Sequence, residues 1–196
     1  PGANGKMTPE AVDRHADLIR SAGMVLCQLE IPMETVSHIL TLCAQAGVPV
    51  MLDPAPAVPL PENVWNQVAW FTPNETEAAF YLDGGQTPEE TADHLLGRGL
   101  RAVALKRGAE GAYIATADGV SGWVAPFVVD AIDTVAAGDC FNGAFAVALL
   151  KGLDPFAAGR FANAAAALCV TRKGAQASMP SREDVERFLD GANSGA

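Results

Sequence analysis

Four short apolar runs constrain this chain more than any other feature: "MVLCQLE" (24–30), "VPVMLDP" (48–54), "VAWFTP" (68–73) and "RAVALKRG" (101–108). None alternates apolar with polar residues, so each reads as a strand buried on both faces rather than one lying on water. Helix patterns separate them. "METVSHILTLCAQAG" is amphipathic and stops at Gly47. "NETEAAFYL" begins a second helix, and "TPEETADHLLGRG" a third, with Thr87 and Glu90 spaced as a capping box. Buried strands separated by covering helices predict an α/β fold with a mostly parallel sheet and helices on both faces. In such sheets ligands gather at the carboxyl ends of the strands. Glu30, Asp53 and Asn74 stand at such ends.

The flanks follow the same logic. "MTPEAVDRHADLIRSAG" predicts one helix, with Thr8 as N-cap, Pro9 at the first turn and Gly23 as its stop. "GAYIATADGVSGWVAP" predicts a hairpin turning at Asp118-Gly119. Residues 141–151 and 155–171 predict two long alanine-rich helices. "SREDVERFLDG" predicts a terminal helix capped by Ser181 and Asp184, and the tail "GANSGA" is expected to fray. No fixed-period repeat interrupts this order, and 196 residues suit a single domain or a large part of a two-part enzyme.

Charge and cysteine usage exclude several classes. With 23 acids against 13 bases and a net charge of -10, general binding to nucleic acid or to an anionic membrane is not expected. No apolar run reaches the roughly 18–20 residues of a membrane span. Cys27, Cys43, Cys140 and Cys169 form no C-x-x-C pair, and His15, His38 and His94 are scattered. Reduced buried thiols in a cytoplasmic protein are expected, rather than a zinc site or a disulfide framework.

The chemistry concentrates in "DTVAAGDCFNGAF" (133–145). Ala136, Ala137 and Gly138 are too small to block an approach to the start of the helix that follows. A helix start carries unpaired N–H groups and a partial positive charge, so it can hold an anion. Asp139 beside it can take a proton from a hydroxyl attacking a phosphorus atom held there. The same four residues also read as an ordinary turn with a helix-favouring acid. G-x-x-x-x-G-K-[ST], G-x-G-x-x-G and G-x-S-x-G are all absent.

The longer segment "DTVAAGDCFNGAFAVALL" resembles the D-T-x-x-A-G-D-x-F-x-(G/A) signature of the ribokinase, or PfkB, family of carbohydrate kinases. "DPAPA", "TPNETEA", the G-x-x-G turn of "KRGAEGAY" and "RFANAAAALCVTRKGAQASMPSREDVERFL" occur in that family's order and spacing, from Gly2 to Leu189. The resemblance implies the following roles. Asp139 is the catalytic base, with Ala136, Ala137 and Gly138 as its anion hole. Asn74 and Glu77 form the N-x-x-E motif that organises Mg²⁺ and phosphate, although their spacing is also that of a capping box. Lys106, Gly108, Ala109, Glu110 and Gly111 border the nucleotide. Arg107 departs from the usual leucine and is expected to point to solvent. Asn163 falls on the adenine side or is a satisfied core amide. Glu30 touches the sugar; without the resemblance it is a solvated strand-end acid. Asp133, Val135, Cys169, Arg172, Gly174 and Ser178 ring a monovalent cation, usually K⁺.

Family members carry further N-terminal strands, a lid over the sugar and a Gly-Gly pair ahead of the point where this chain opens. The expectation is therefore a single partial domain over 1–196, the C-terminal nucleotide-binding portion of a ribokinase-like fold. The parent enzyme is expected to transfer phosphate from ATP to D-ribose, giving ribose 5-phosphate, with Mg²⁺ and K⁺. Fructose or a nucleoside is the alternative acceptor. The fragment alone is expected to be weak or inactive, a nucleotide-binding remnant, with an exposed edge that favours homo-oligomers.

Overall fold

The computed structural model describes residues 2–82 and 87–194. A 3₁₀ turn at Asn4–Lys6 leads into α1 (Pro9–Asp13), α2 (Ala16–Arg20), β1 (Val25–Gln28), α3 (Met33–Ala46) and β2 (Val50–Asp53). Then come α4 (Glu62–Trp65), β3 (Trp70–Phe71), α5 (Glu75–Phe80), α6 (Pro88–Gly97) and β4 (Ala102–Lys106). A second 3₁₀ turn, Gly108–Glu110, precedes β5 (Ala112–Thr116) and β6 (Ser121–Val124). Two long helices follow, α7 (Ala137–Leu150) and α8 (Pro155–Val170). A 3₁₀ turn at Gln176–Ser178 and α9 (Arg182–Ser194) complete the order.

The six strands lie in sequence order, β1-β2-β3-β4-β5-β6. β1 pairs parallel with β2 from Val25↔Val50 to Gln28↔Asp53, β2 with β3, and β3 with β4 at Phe71↔Val103. Only residues 107–111 and 117–120 join β4 to β5 and β5 to β6. Connections that short cannot make a parallel crossover, so the last two strands are hairpin-joined. The sheet is therefore mostly parallel, as expected. Because order and sequence agree, right-handed crossovers place α3, α4 and the α5–α6 pair on one face.

The chain divides into two compact units: Pro1–Leu105 with Ala115–Ser121, and Lys106–Ile114 with Gly122–Ala196. In the first, Val36 and Leu40 of α3, Leu52 of β2, Val64 of α4 and Phe71 of β3 are fully enclosed. Phe71 meets Trp65 and Tyr81 edge-on or tilted, with ring centroids 5.6 and 5.7 Å apart. An aromatic side chain so enclosed contributes about 3–5 kcal/mol against truncation to alanine. α3 ends as its sequence demands: Gly47 takes φ 70°, and the Val48 N–H closes back on the Cys43 carbonyl at 2.9 Å.

In the second unit α8 packs on β5 and β6. A Cβ on Gly159 would stand 2.7 Å from Ile114 Cδ1 and 3.0 Å from Val124 Cγ2, so any larger residue there would push these side chains aside. α7 and α8 lie against each other, and α9 against α8. Cys140, Ala164, Ala165, Cys169 and Val185 form their shared core.

Three local expectations are corrected. The single helix expected over residues 8–23 is two, because the His15 N–H bonds to Val12, three residues back, and His15 leaves helical geometry at φ -119°. α7 begins at Ala137, four residues before the expected start at 141. The tail does not fray from Gly191, since α9 continues to Ser194; Gly195 and Ala196 lie outside the described residues. The capping boxes at Thr87/Glu90 and Ser181/Asp184 form as their spacing required. Gly119 takes φ 92° at the hairpin turn.

Candidate active site

The second unit holds the start of α7, and its local geometry is unusual. Ala136 sits at φ 62°, ψ 10°, the one non-glycine residue with positive φ among the described residues. That conformation costs an L-residue about 1–2 kcal/mol, so surrounding structure must impose it. Asp133 does much of this. Its carboxylate accepts the Val135 N–H at 3.0 Å and the Gly174 N–H at 3.0 Å. The Ile132 and Asp133 N–H groups both bond to the Val170 carbonyl, at 2.7 and 3.1 Å. The segment before α7 is thus tied to the segment after α8. Donation from Gly174, then Val135, holds the Asp133 carboxyl below its ordinary value.

No side chain caps α7. The Ala137 N–H donates to the Thr134 carbonyl at 3.3 Å, so the Gly138 and Asp139 N–H groups present the positive end of the helix. A Cβ on Gly138 would stand 3.3 Å from Lys106 Nζ, so the ammonium from the end of β4 lies directly over this turn. The ammonium and the helix start are both positive and stand together in a turn that also carries the Asp139 carboxylate, an arrangement suited to binding an anion.

The turn after Lys106 is closed on itself. Arg107 N–H donates to the Gly111 carbonyl at 2.9 Å, and Gly108 and Gly111 take φ 53° and 95°. Gly111 is obligatory: a Cβ there would stand 2.2 Å from the Val124 carbonyl oxygen. Arg107 does not point to solvent as expected. Its guanidinium bridges to Glu110, with Nη2 3.0 Å and Nε 3.3 Å from Oε2, and the side chain is 27% exposed. Ala109 is exposed at the tip of this turn. Asn163 is buried in α8, where its amide donates to the Val124 and Ala125 carbonyls at 3.1 and 3.0 Å. It pins the exit of β6 as a satisfied core amide does.

The six positions expected around a monovalent cation come together. Asp133 reaches Gly174. Cys169 Sγ lies 4.0 Å from the Val135 carbonyl and 3.1 Å from Ser178 Oγ, and the Arg172 N–H bonds the Cys169 carbonyl at 3.1 Å. A carboxylate, a hydroxyl and backbone carbonyls are oxygen donors of the type an alkali ion takes, so the donor set fits K⁺. Among the described residues no group of three or more His, Cys, Asp or Glu could hold a metal ion by itself.

The first unit places its candidates at carboxyl ends of parallel strands. Asn74 follows β3 and caps α5. Its Oδ1 accepts the Glu77 N–H at 2.8 Å, while Glu77 Oε2 accepts the Asn74 N–H at 2.8 Å and Oε1 the Asn74 amide at 2.9 Å. The capping alternative is realised, and it fixes the Glu77 carboxylate beside the strand end. Glu30 follows β1, and its Oε2 accepts the Asn4 amide at 3.2 Å.

One neighbour of Asp139 is excluded from chemistry. Cys140 is buried, and burial first, then the nearby Cys169 thiol, pushes its thiol up to about 12. Such a thiol carries almost no thiolate at neutral pH and is no nucleophile. A cavity of about 260 Å³ opens beside Asp139, walled mainly by Gly143, Val147, Phe161, Met179 and Arg182. Sequence reasoning missed the Cys140–Cys169 contact and the Arg107–Glu110 bridge. The second could have been found from opposite charges three residues apart. All four cysteines are free and buried, and no helix among the described residues is long and apolar enough to cross a membrane.

This geometry has close counterparts. The family profile of the pfkB family carbohydrate kinases matches residues 1–182. The ribokinase of Bacillus subtilis is 40% identical over 189 residues, covering 96% of this chain and 62% of that protein. A deoxyribokinase of Salmonella typhi is 37% identical over 196 residues, covering 96% of this chain and 63% of that protein. The crystal structure of a ribokinase from Thermotoga maritima superposes with a TM-score of 0.87 at 39% identity, covering 96% of this chain and 63% of that one. An Arabidopsis thaliana ribokinase complexed with ribose and ATP gives 0.85 at 32%, covering 90% and 59%. The chain thus spans about 62% of the length of the relatives it matches. With the family profile, the relatives and the fold in agreement, the chain belongs to the pfkB family of carbohydrate kinases.

Proposed function

We propose that the whole protein phosphorylates D-ribose at its primary hydroxyl, with ATP as donor and Asp139 as general base. The observation that carries the proposal is the Lys106 ammonium over the uncapped start of α7, with Asp139 in its first turn. Phosphoryl transfer asks a protein mainly for position and charge. The Gly138 and Asp139 N–H groups and Lys106 would stabilise negative charge growing on the transferred group and on the leaving phosphate. The strained Ala136 conformation aims those N–H groups before any ligand arrives. Asp139 would accept the hydroxyl proton as the oxygen attacks.

The turn from Lys106 to Gly111, with Gly108, Ala109 and Glu110, would border the nucleotide, and Asn163 would keep the β6 exit in shape on the adenine side. Glu77, steadied by Asn74, would serve Mg²⁺ and its water, and Mg²⁺ when bound would neutralise phosphate charge. K⁺, within the ring from Asp133 to Ser178, would hold the anion turn in place. Glu30 would bind a sugar hydroxyl. The ribose reading rests on relatives named ribokinase at up to 40% identity; the deoxyribokinase relatives make 2-deoxyribose the competitor to test.

The test is an ADP-release assay on the whole protein with D-ribose, 2-deoxy-D-ribose and D-fructose, alongside Asp139→Asn. Ribose should give the highest kcat/KM. The variant should lose turnover by a factor of about 10² or more, with ATP affinity within a few-fold. Near-normal turnover in Asp139→Asn would remove the base assignment. A higher kcat/KM for another sugar would remove ribose.

A further inference from the structure

We infer that Asn4 is a positioning residue for sugar binding: its side-chain amide orients the Glu30 carboxylate, so that recognition at the end of β1 depends on a residue 26 positions upstream. The inference rests on the reading of Glu30 as a sugar ligand. Asn4 Nδ2 donates to Glu30 Oε2 at 3.2 Å, which would leave Oε1 for a sugar hydroxyl.

Both ends of this hydrogen bond are on fixed backbone. Asn4 opens a 3₁₀ turn closed by the Met7 N–H on the Asn4 carbonyl at 3.1 Å. Thr35, fully buried in the first turn of α3, donates its hydroxyl to the Met7 carbonyl at 2.7 Å. α3 begins just after Glu30, so a single buried hydroxyl ties the Asn4 turn to the segment that carries Glu30. On the strand side, the Leu29 N–H bonds the Ala55 carbonyl at 2.9 Å. Asn4, Gln28 and Glu30 face one cavity of about 370 Å³ in this unit.

Energy and orientation separate here. A hydrogen bond between exposed groups contributes little to stability. A carboxylate on a three-bond side chain samples many rotamers, however, and only those presenting an oxygen to the sugar bind it. An amide donor holding one oxygen removes that freedom before substrate arrives. A neutral amide does this without consuming the negative charge, which a lysine at the same place would do.

The experiment measures KM for ribose, KM for ATP and kcat on the whole enzyme, for Asn4→Ala, Asn4→Asp, Glu30→Gln and the Asn4→Ala/Glu30→Gln double variant. Asn4→Ala should raise ribose KM about 5- to 10-fold, the scale of one ordinary hydrogen bond, with ATP KM and kcat within about 2-fold. Asn4→Asp keeps the shape but sets a second carboxylate beside the first, and should raise ribose KM further. In the Glu30→Gln background Asn4→Ala should add less than about 2-fold, the mark of action through Glu30. If Glu30→Gln raises ribose KM and neither Asn4 variant does, the inference on Asn4 fails while the sugar-ligand reading stands. If Glu30→Gln leaves ribose KM unchanged, the reading of Glu30 fails and the inference with it. Multiplicative effects in the double variant also overturn it, since Asn4 would then act by another route. Asn4→Asp, isosteric at an exposed site, answers the question should Asn4→Ala fold poorly.

Discussion

The two long helices of the second unit lie side by side and begin in opposite ways. α8 starts on Asp154, whose carboxylate accepts the Phe156 and Ala157 N–H groups at 2.9 and 3.0 Å, with Pro155 in the first turn. This is how a sequence ends a helix when nothing else is asked of it: a fixed side-chain charge satisfies the exposed donors. α7 starts on Ala136, a residue with no polar atom beyond its backbone, held in a left-handed conformation. Stability alone would favour a cap there, so α7 forgoes a local gain of about 1 kcal/mol. The contrast shows which donors serve folding and which are kept for a ligand. α3 and α4 also lack side-chain caps, but they begin after Pro32 and Pro61 in ordinary extended geometry, with no strained residue at the cap.

The strongest way to break the contrast is to give α7 the cap that α8 has. Ala136→Asp places a carboxylate where the anion is proposed to bind. Aspartate tolerates the left-handed region, so the fold should survive. Turnover of the whole enzyme should fall by about 10² or more, because a fixed negative charge repels the transferring phosphate and occupies its donors. ADP affinity, read by calorimetry, should fall at least about 10-fold, while the thermal midpoint stays level or rises. Unchanged ADP affinity would mean that the start of α7 is only a structural turn.

The converse change is smaller and falls on stability alone. Asp154→Ala removes the cap from α8 and should cost about 1 kcal/mol in urea unfolding, within the usual range for N-caps. Ribose and ATP kinetics should not move. A loss of turnover comparable to that of Ala136→Asp would show that the two helix starts are not functionally distinct.

The same contrast explains what could be read from the sequence. α8, α6 and α9 announce their starts because the capping side chain lies within a few residues of the donors it serves: Asp154, Thr87 with Glu90, Ser181 with Asp184. β2 and β4 were legible because burial on both faces leaves continuous apolar runs; β1 has the same apolar run but is not buried on both faces as expected, since Leu26 is 46% exposed. The start of α7 was placed four residues late because the φ of Ala136 is set by Asp133 and Gly174, 41 positions apart. No local pattern encodes that. Gly111 was visible as part of a G-x-x-G turn, yet its necessity comes from the Val124 carbonyl pressing on it. The Asn4–Glu30 bond joins residues 26 apart across a helix pair and was invisible for the same reason. Motif resemblance supplied the candidate residues; tertiary contacts decided how each is held.

The finest difference between the two helix starts concerns acid. Asp133, which holds the strained approach to α7, is partly exposed and has its carboxyl held below the ordinary value, by the Gly174 amide first and the Val135 amide second. A group whose pKa is depressed on folding contributes stability above its unfolded value, and loses it as pH falls through the folded one. The window therefore opens near pH 4, the ordinary aspartate value, and extends below it. Thermal midpoints taken from pH 6 down to pH 3 should fall for the native sequence, and fall less steeply for Asp133→Asn, which starts lower at pH 6. The exposure of Asp133 keeps this effect the smallest of the series. Its signature is local, because protonation releases the Gly174 N–H and with it the tie between the segments before α7 and after α8. Amide exchange at Gly174 and Val135 should quicken on acidification before α8 itself loosens. Parallel pH curves for the two proteins, with no early exchange at Gly174, would show that the left-handed Ala136 is held by the backbone bonds to Val170 alone.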